Sequence, residues 1–116
     1  MKTPGVAASS DTGIRVLYVT TDKLDEAWRI GETLVAERLV ACSNVLPGMQ
    51  SCYRWEGKLE HANECVLILK TREALVERVV ARVRELHSYA VPCVVSLPVL
   101  GGNPEYLDWV VRETGG

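Results

Sequence analysis

The chain has 116 residues, enough for one domain that buries about two-thirds of the surface its unfolded form would expose. Thirteen Lys and Arg against fifteen Asp and Glu leave a formal charge of −2 with neither sign in blocks, which argues against a nucleic-acid surface. No apolar run reaches the roughly 18 residues of a membrane span, and the N-terminal MKTPGVAASSDTG lacks the apolar stretch of a secretory signal. Residues 1–13 are therefore expected to be a disordered tail on a cytoplasmic protein, and 14–116 a single domain.

Ile14 to Thr20 (IRVLYVT), branched and aromatic and ended by Thr21-Asp22, reads as a central first strand. From Lys23 the period becomes helical: Leu24, Ala27, Trp28, Gly31, Leu34 and Val35 recur on one stripe. Asp22 is the expected N-cap, Asp25-Glu26 complement the helix dipole, and the helix should run to about Arg38 with Trp28 packed in the core.

Val40 to Thr71 organises the rest. Val40–Leu46 and Cys65–Leu69 read as strands, the second apolar at five consecutive positions and so expected to be covered on both faces. Pro47-Gly48 marks a turn or bulge, and Tyr53-Arg54-Trp55-Glu56-Gly57-Lys58 a strand running into a glycine-containing hairpin turn. The result is a long, bent β-hairpin that a domain of this size cannot cover alone, so another chain is expected to cover part of it.

Thr71 is placed to cap a second helix whose stripe is Leu75, Val76, Val79, Val80, Val83 and Leu86, with Arg78, Arg82 and Arg84 off the stripe and solvated, ending near His87. Val91–Leu100 reads as a fourth strand that Pro92 and Pro98 push to an edge, bulge or kink. After Gly101-Gly102, Asn103-Pro104-Glu105 starts a last helix to about Glu113 whose Tyr106, Leu107, Trp109 and Val110 should dock on its own sheet or a neighbouring subunit. The order β-α-β-β-α-β with a long central hairpin and an extra C-terminal helix is an α+β, ferredoxin-like pattern.

Cys42, Cys52, Cys65 and Cys93 contain no C-x-x-C pair, which argues against structural zinc. Three of them lie in apolar runs and read as small buried thiols. Nucleophilic catalysis by a Cys with His87 or His61 lacks an identifiable third residue, and Gly101-Gly102-Asn103 lacks the Lys-Ser/Thr partner of a phosphate loop. No enzymatic site emerges.

Specific residues, taken together, resemble the CutA divalent-cation tolerance proteins. They are Leu39-Val-Ala-Cys-Ser-Asn44, Pro47-Gly48, Ser51-Cys-Tyr-Arg-Trp-Glu-Gly-Lys58, Leu69-Lys-Thr71, Glu85-Leu-His-Ser-Tyr89 with Pro92, and Gly102-Asn-Pro-Glu-Tyr-Leu-Asp-Trp109, in family order from Arg15 onward. The resemblance implies a subunit similar to PII signalling proteins, assembled as a homotrimer through its hairpins, with no enzymatic activity and with weakly bound copper or another divalent cation. Where the family has His-Pro-Tyr-Glu-Val-Pro-Glu, this chain reads His87-Ser88-Tyr89-Ala90-Val91-Pro92-Cys93, so both acids are lost. The implied metal ligands become His87 and Cys93, a pair suited to Cu(I) or Zn rather than a hard cation. The other reading of His87 is a helix C-cap packed at a subunit interface. Tyr53, Trp55, Lys70, Tyr89 and Trp109 are candidates for an inter-subunit cleft holding a small ligand, or for a trimer interface without one.

Overall fold

The computed structural model describes residues 11–115. The expected tail thus falls largely on residues 1–10, outside the described residues, while Asp11 to Gly13 are tied to the domain. The Thr12 N–H donates to the Val99 carbonyl at 3.2 Å and the Glu73 N–H to the Gly13 carbonyl at 2.8 Å.

Four antiparallel strands, β1 (Ile14–Thr21), β2 (Cys42–Trp55), β3 (Lys58–Arg72) and β4 (Val94–Pro98), form one sheet in the order β2-β3-β1-β4. With α1 (Leu24–Ala36), α2 (Val76–Leu86) and α3 (Pro104–Glu113), this is the ferredoxin-like α+β arrangement expected from the element order. Because side chains alternate along a strand, Leu17 and Val19 of β1 and Leu67 and Leu69 of β3 share one face with α1 and α2, where all four are fully buried. Val16 and Tyr18 point the other way, beside Leu97 and Val95 of β4 in the register. There Val95 remains 49% and Leu97 51% exposed. Among the described residues only α3 packs on that second face, and only at one end, where Val110 meets Ile14 and Ala41. The apolar run Cys65–Leu69, expected to be covered on both faces, therefore has helices over one.

The hairpin is long as expected. β2 and β3 pair from Cys42–Lys70 to Trp55–Lys58, with a bulge between Leu46 and Met49 at Pro47-Gly48. The two-residue turn Glu56-Gly57 has positive φ at both positions, 50° and 82°, the twist that closes a tight hairpin.

Several local expectations are corrected. Asp22 does not cap α1; the residue before the helix is Lys23, and Asp25 instead accepts the Glu26 N–H at 3.0 Å. The helix stops at Ala36 because Arg38 takes φ 60°, letting the Leu39 N–H reach the Leu34 carbonyl and the Arg38 N–H the Val35 carbonyl, a Schellman end without glycine. Trp28 is 48% exposed rather than in the core: the sheet takes Ala27, Ile30 and Leu34, and the flanking ridge Leu24, Trp28 and Val35 has no element over it among the described residues. Thr71 is not a helix cap but the end of β3, its buried hydroxyl donating to the Leu39 carbonyl at 2.6 Å; a 3-10 turn, Glu73–Leu75, leads into α2 instead. Arg82 is not simply solvated, since it pairs with Glu37 through two bonds of 3.0 and 2.9 Å. β4 begins only at Val94, because residues 87–93 are drawn into the contacts described next. Asn103 caps α3 as expected, accepting the Glu105 N–H at 3.2 Å.

Candidate functional site

His87 ends α2 and turns back under β1, 8% exposed. Its Nε2 lies 2.6 Å from the Thr20 carbonyl, which can only accept, so Nε2 carries the proton. Nδ1 then accepts the Tyr89 N–H at 3.0 Å. The imidazole is a neutral tautomer with both nitrogens engaged: Nε2 donates, and the one ligating lone pair, on Nδ1, is not free for a metal. Glu26, on the buried side of α1, accepts the Ser88 N–H at 2.6 Å and the Ser88 hydroxyl at 3.0 Å, and lies 3.9 Å from His87 Nδ1. These bonds clamp the segment after α2 onto β1 and α1.

The clamp places Tyr89. Its ring stacks at a tilt on His87 with centroids 4.8 Å apart, and its hydroxyl donates to Glu64 Oε2 at 2.8 Å. Burial, and then the bond to the Glu64 carboxylate, push the phenol well above its ordinary value near 10, so it remains a donor. Beside it, Tyr53 and Trp55 from the end of β2 complete an aromatic wall. The wall borders a cavity of about 560 Å³ that reaches Tyr18 and Thr20 on β1, Met49 on β2 and Cys93 before β4.

Of the five residues expected to line a cleft, the chain brings together Tyr53, Trp55 and Tyr89. Lys70 and Trp109 lie elsewhere: the Lys70 ammonium sits over the Tyr106 ring at 5.6 Å, and Tyr106 contacts Trp109 with centroids 5.6 Å apart. Lys70 is six residues along β3 from Glu64, about 20 Å at strand rise. The two groups are separate sites within the chain.

Of the cysteines expected to be buried in apolar runs, only Cys65 is; Cys42 is partly covered and Cys93 exposed, with Cys52 exposed as well and all four free. Cys93 stands just past the last β1–β4 pair, Val19–Val94, and so beside Thr20, whose carbonyl His87 holds. Among the described residues no three His, Cys, Asp or Glu side chains converge on a common point. Glu26, Glu64 and Thr20 were not singled out from sequence. The available signal was an acid on each buried run: Glu26 beside Ala27, and Glu64 directly before Cys65.

Known proteins are similar to this chain in sequence and in fold. The family model described as CutA1 divalent ion tolerance protein matches residues 15–113. The divalent-cation tolerance protein CutA of Thermus thermophilus is 42% identical over 100 residues, covering 86% of this chain and 97% of that protein. The chloroplastic Protein CutA 1 of Oryza sativa is 41% identical over 99 residues, covering 85% of this chain. The chain spans only 56% of that rice protein and 54% of its chloroplastic relative in Arabidopsis thaliana. Among solved structures, the Cut A1 protein of Thermus thermophilus superposes with a TM-score of 0.86 at 41% identity, covering 88% of this chain and 99% of that one. CutA1 of Oryza sativa gives 0.87 at 39% identity, covering 91% and 97%. Matched along nearly all its described length in sequence and in fold, the chain belongs to the CutA1 divalent ion tolerance family.

Proposed function

We propose that this protein is a homotrimeric divalent-cation tolerance protein that acts by binding rather than by catalysis. The observation that carries the trimer is the second sheet face, where Val95, Leu97 and the hairpin's Leu46 and Trp55 each stand about half exposed, 49 to 54%, in one contiguous sheet. Apolar faces of this kind mark an interface in a folded protein. In the trimer the hairpin tip of one subunit meets the neighbour, and an inter-subunit cleft joins the Tyr53, Trp55 and Tyr89 group of one copy to the Lys70 and Trp109 group of another. Sedimentation of the purified chain at micromolar concentration tests this: a three-copy species is expected, and a monomer overturns it.

The cargo we propose is copper or another soft divalent or monovalent cation, weakly held. One subunit does not offer a closed metal centre, since His87 has spent both nitrogens and, among the described residues, no three donors converge. Of the proposed ligands His87 and Cys93, the exposed Cys93 thiol is the one accessible as it stands. A thiolate selects soft ions, and a site completed only by water or a neighbouring chain exchanges readily. Calorimetric titration with Cu(I) under reducing conditions should show binding that Cys93→Ser abolishes and His87→Ala weakens less. Equal affinity in all three proteins removes the pair from consideration.

For catalysis the histidine would need a free nitrogen to move a proton, and its two hydrogen bonds make it a positioning group instead. No helix is long and apolar enough to cross a membrane among the described residues. Four free cysteines suit a reducing compartment, and we assign the protein to the cytoplasm, although relatives carry chloroplastic and periplasmic names.

A further inference from the structure

We propose that Cys52 and His61, facing each other across the hairpin, form a two-ligand site for Cu(I), separate from the one at Cys93. The two residues are direct partners in the β2–β3 register. The two-residue turn Glu56-Gly57 is closed by a hydrogen-bonded pair, Trp55–Lys58, and hydrogen-bonded pairs then alternate with open ones toward the sheet. Cys52–His61, three steps along, is an open pair, the kind in which Cα atoms approach to about 4.5 Å and side chains stand closest. No bulge interrupts the ladder between the turn and Met49–Glu64, so both side chains rise on one face.

The donor set selects the ion. A thiolate and an imidazole are both good copper ligands, and Cu(I) is satisfied by two donors in a line. With bond lengths like those at zinc, the two donor atoms would stand roughly 4.4 Å apart, a span that so close a pair covers from ordinary rotamers. A four-coordinate ion is a poorer fit, since among the described residues no three His, Cys, Asp or Glu side chains converge. Both residues are exposed, and neither takes part in an ion pair among the described residues. His61 thus differs from His87, whose two nitrogens are both engaged. The face is also the one that the proposed assembly leaves open. Alternation along β3 carries the row of Leu69, Leu67 and Cys65 on to Asn63 and His61, on the helix side of the sheet and opposite the face of Val95 and Leu97. Cys65 is the last of that row in the core, and Asn63 and His61 beyond it are exposed. Tyr53 and Trp55 alternate to the other face.

The probe is Cu(I) itself, titrated calorimetrically into the full chain without oxygen or added thiol. The wild type should show two binding events, of which Cys93→Ser removes only one. In the Cys93→Ser background, uptake of one Cu(I) per chain is expected, with one sulfur and one nitrogen at the metal by copper-edge X-ray absorption. There Cys52→Ser should abolish uptake and His61→Ala weaken it at least about tenfold, while His61→Met, which returns a soft donor, should recover most of the loss. Both positions are exposed on the hairpin, so the variants keep the fold. Unchanged affinity in Cys52→Ser overturns the proposal, and so does unchanged affinity in His61→Ala, since a thiol alone would then hold the ion. No uptake in the Cys93→Ser chain, the result expected if a neighbouring copy covers this face, also overturns it and leaves the Cys93 reading standing. Uptake that Cys93→Ser spares and Cys52→Ser removes supports this site whatever becomes of that reading.

Discussion

Gly31→Ala separates two effects of opposite sign. In the middle of α1 the substitution should gain about 0.5–1 kcal/mol from helix propensity and reduced unfolded-state freedom. The new methyl, however, would stand 2.7 Å from Ser43 Oγ, 3.0 Å from Ser43 Cβ and 3.2 Å from Leu67 Cδ1. The Ser43 hydroxyl can rotate and the Leu67 methyl can shift, but Ser43 Cβ moves only with the backbone of β2. Overpacking of this kind costs about 1–3 kcal/mol, so the net expectation is a loss of up to about 2.5 kcal/mol and no net gain. Urea denaturation of Gly31→Ala, Ser43→Gly and the double variant, all at one protein concentration, gives the coupling directly. Removing Ser43 Cβ and Oγ should restore the helix gain, with a coupling of about 1 kcal/mol or more. A stabilised single variant, or additivity within about 0.3 kcal/mol, would refute the claim that α1 is seated on β2 through this glycine.

Further expectations concern the site and the assembly. Spectrophotometric titration should show Tyr89 still protonated after ordinary tyrosines have ionised, and Tyr89→Phe should remove that late phase. Because the folded phenol lies above its unfolded value near 10, the Tyr89–Glu64 bond contributes fully below about pH 10 and is lost only as pH rises through the folded value. Thermal melting should be concentration-dependent, with a midpoint above the mesophile range of about 45–65 °C; a concentration-independent midpoint inside it contradicts assembly-linked stability. Leu97→Asp, placed on the open sheet face, should leave the fold intact and break assembly, since three buried carboxylates cost several kcal/mol each.

The fold was legible because its signals are periodic. β1, α1, the hairpin, α2 and the Asn103-Pro104 start of α3 each announce themselves by spacing or by a capping residue. What escaped were features that spacing does not encode. The Schellman end of α1 uses Arg38 where glycine is the usual marker. Trp28 satisfies a helical stripe, but which ridge of that stripe the sheet occupies is a matter of tertiary packing. The candidate site was half legible. His87, Tyr89, Tyr53 and Trp55 stand out by type, whereas Glu26 and Glu64 look like ordinary solvated acids until the chain brings Ser88 and Tyr89 onto them from 62 and 25 residues away. The five-residue cleft separated into two groups because register along β3, not residue type, sets distance.

The proposed assembly rests on the sheet face bearing Val95 and Leu97 being covered by other copies of this chain. Native mass spectrometry of the wild type and Leu97→Asp, sprayed side by side at about 1 µM, tests it most directly. A wild-type mass of three 12.8 kDa chains with a monomeric variant is the predicted result. A monomeric wild type, or a trimer that Leu97→Asp leaves unchanged, would contradict it.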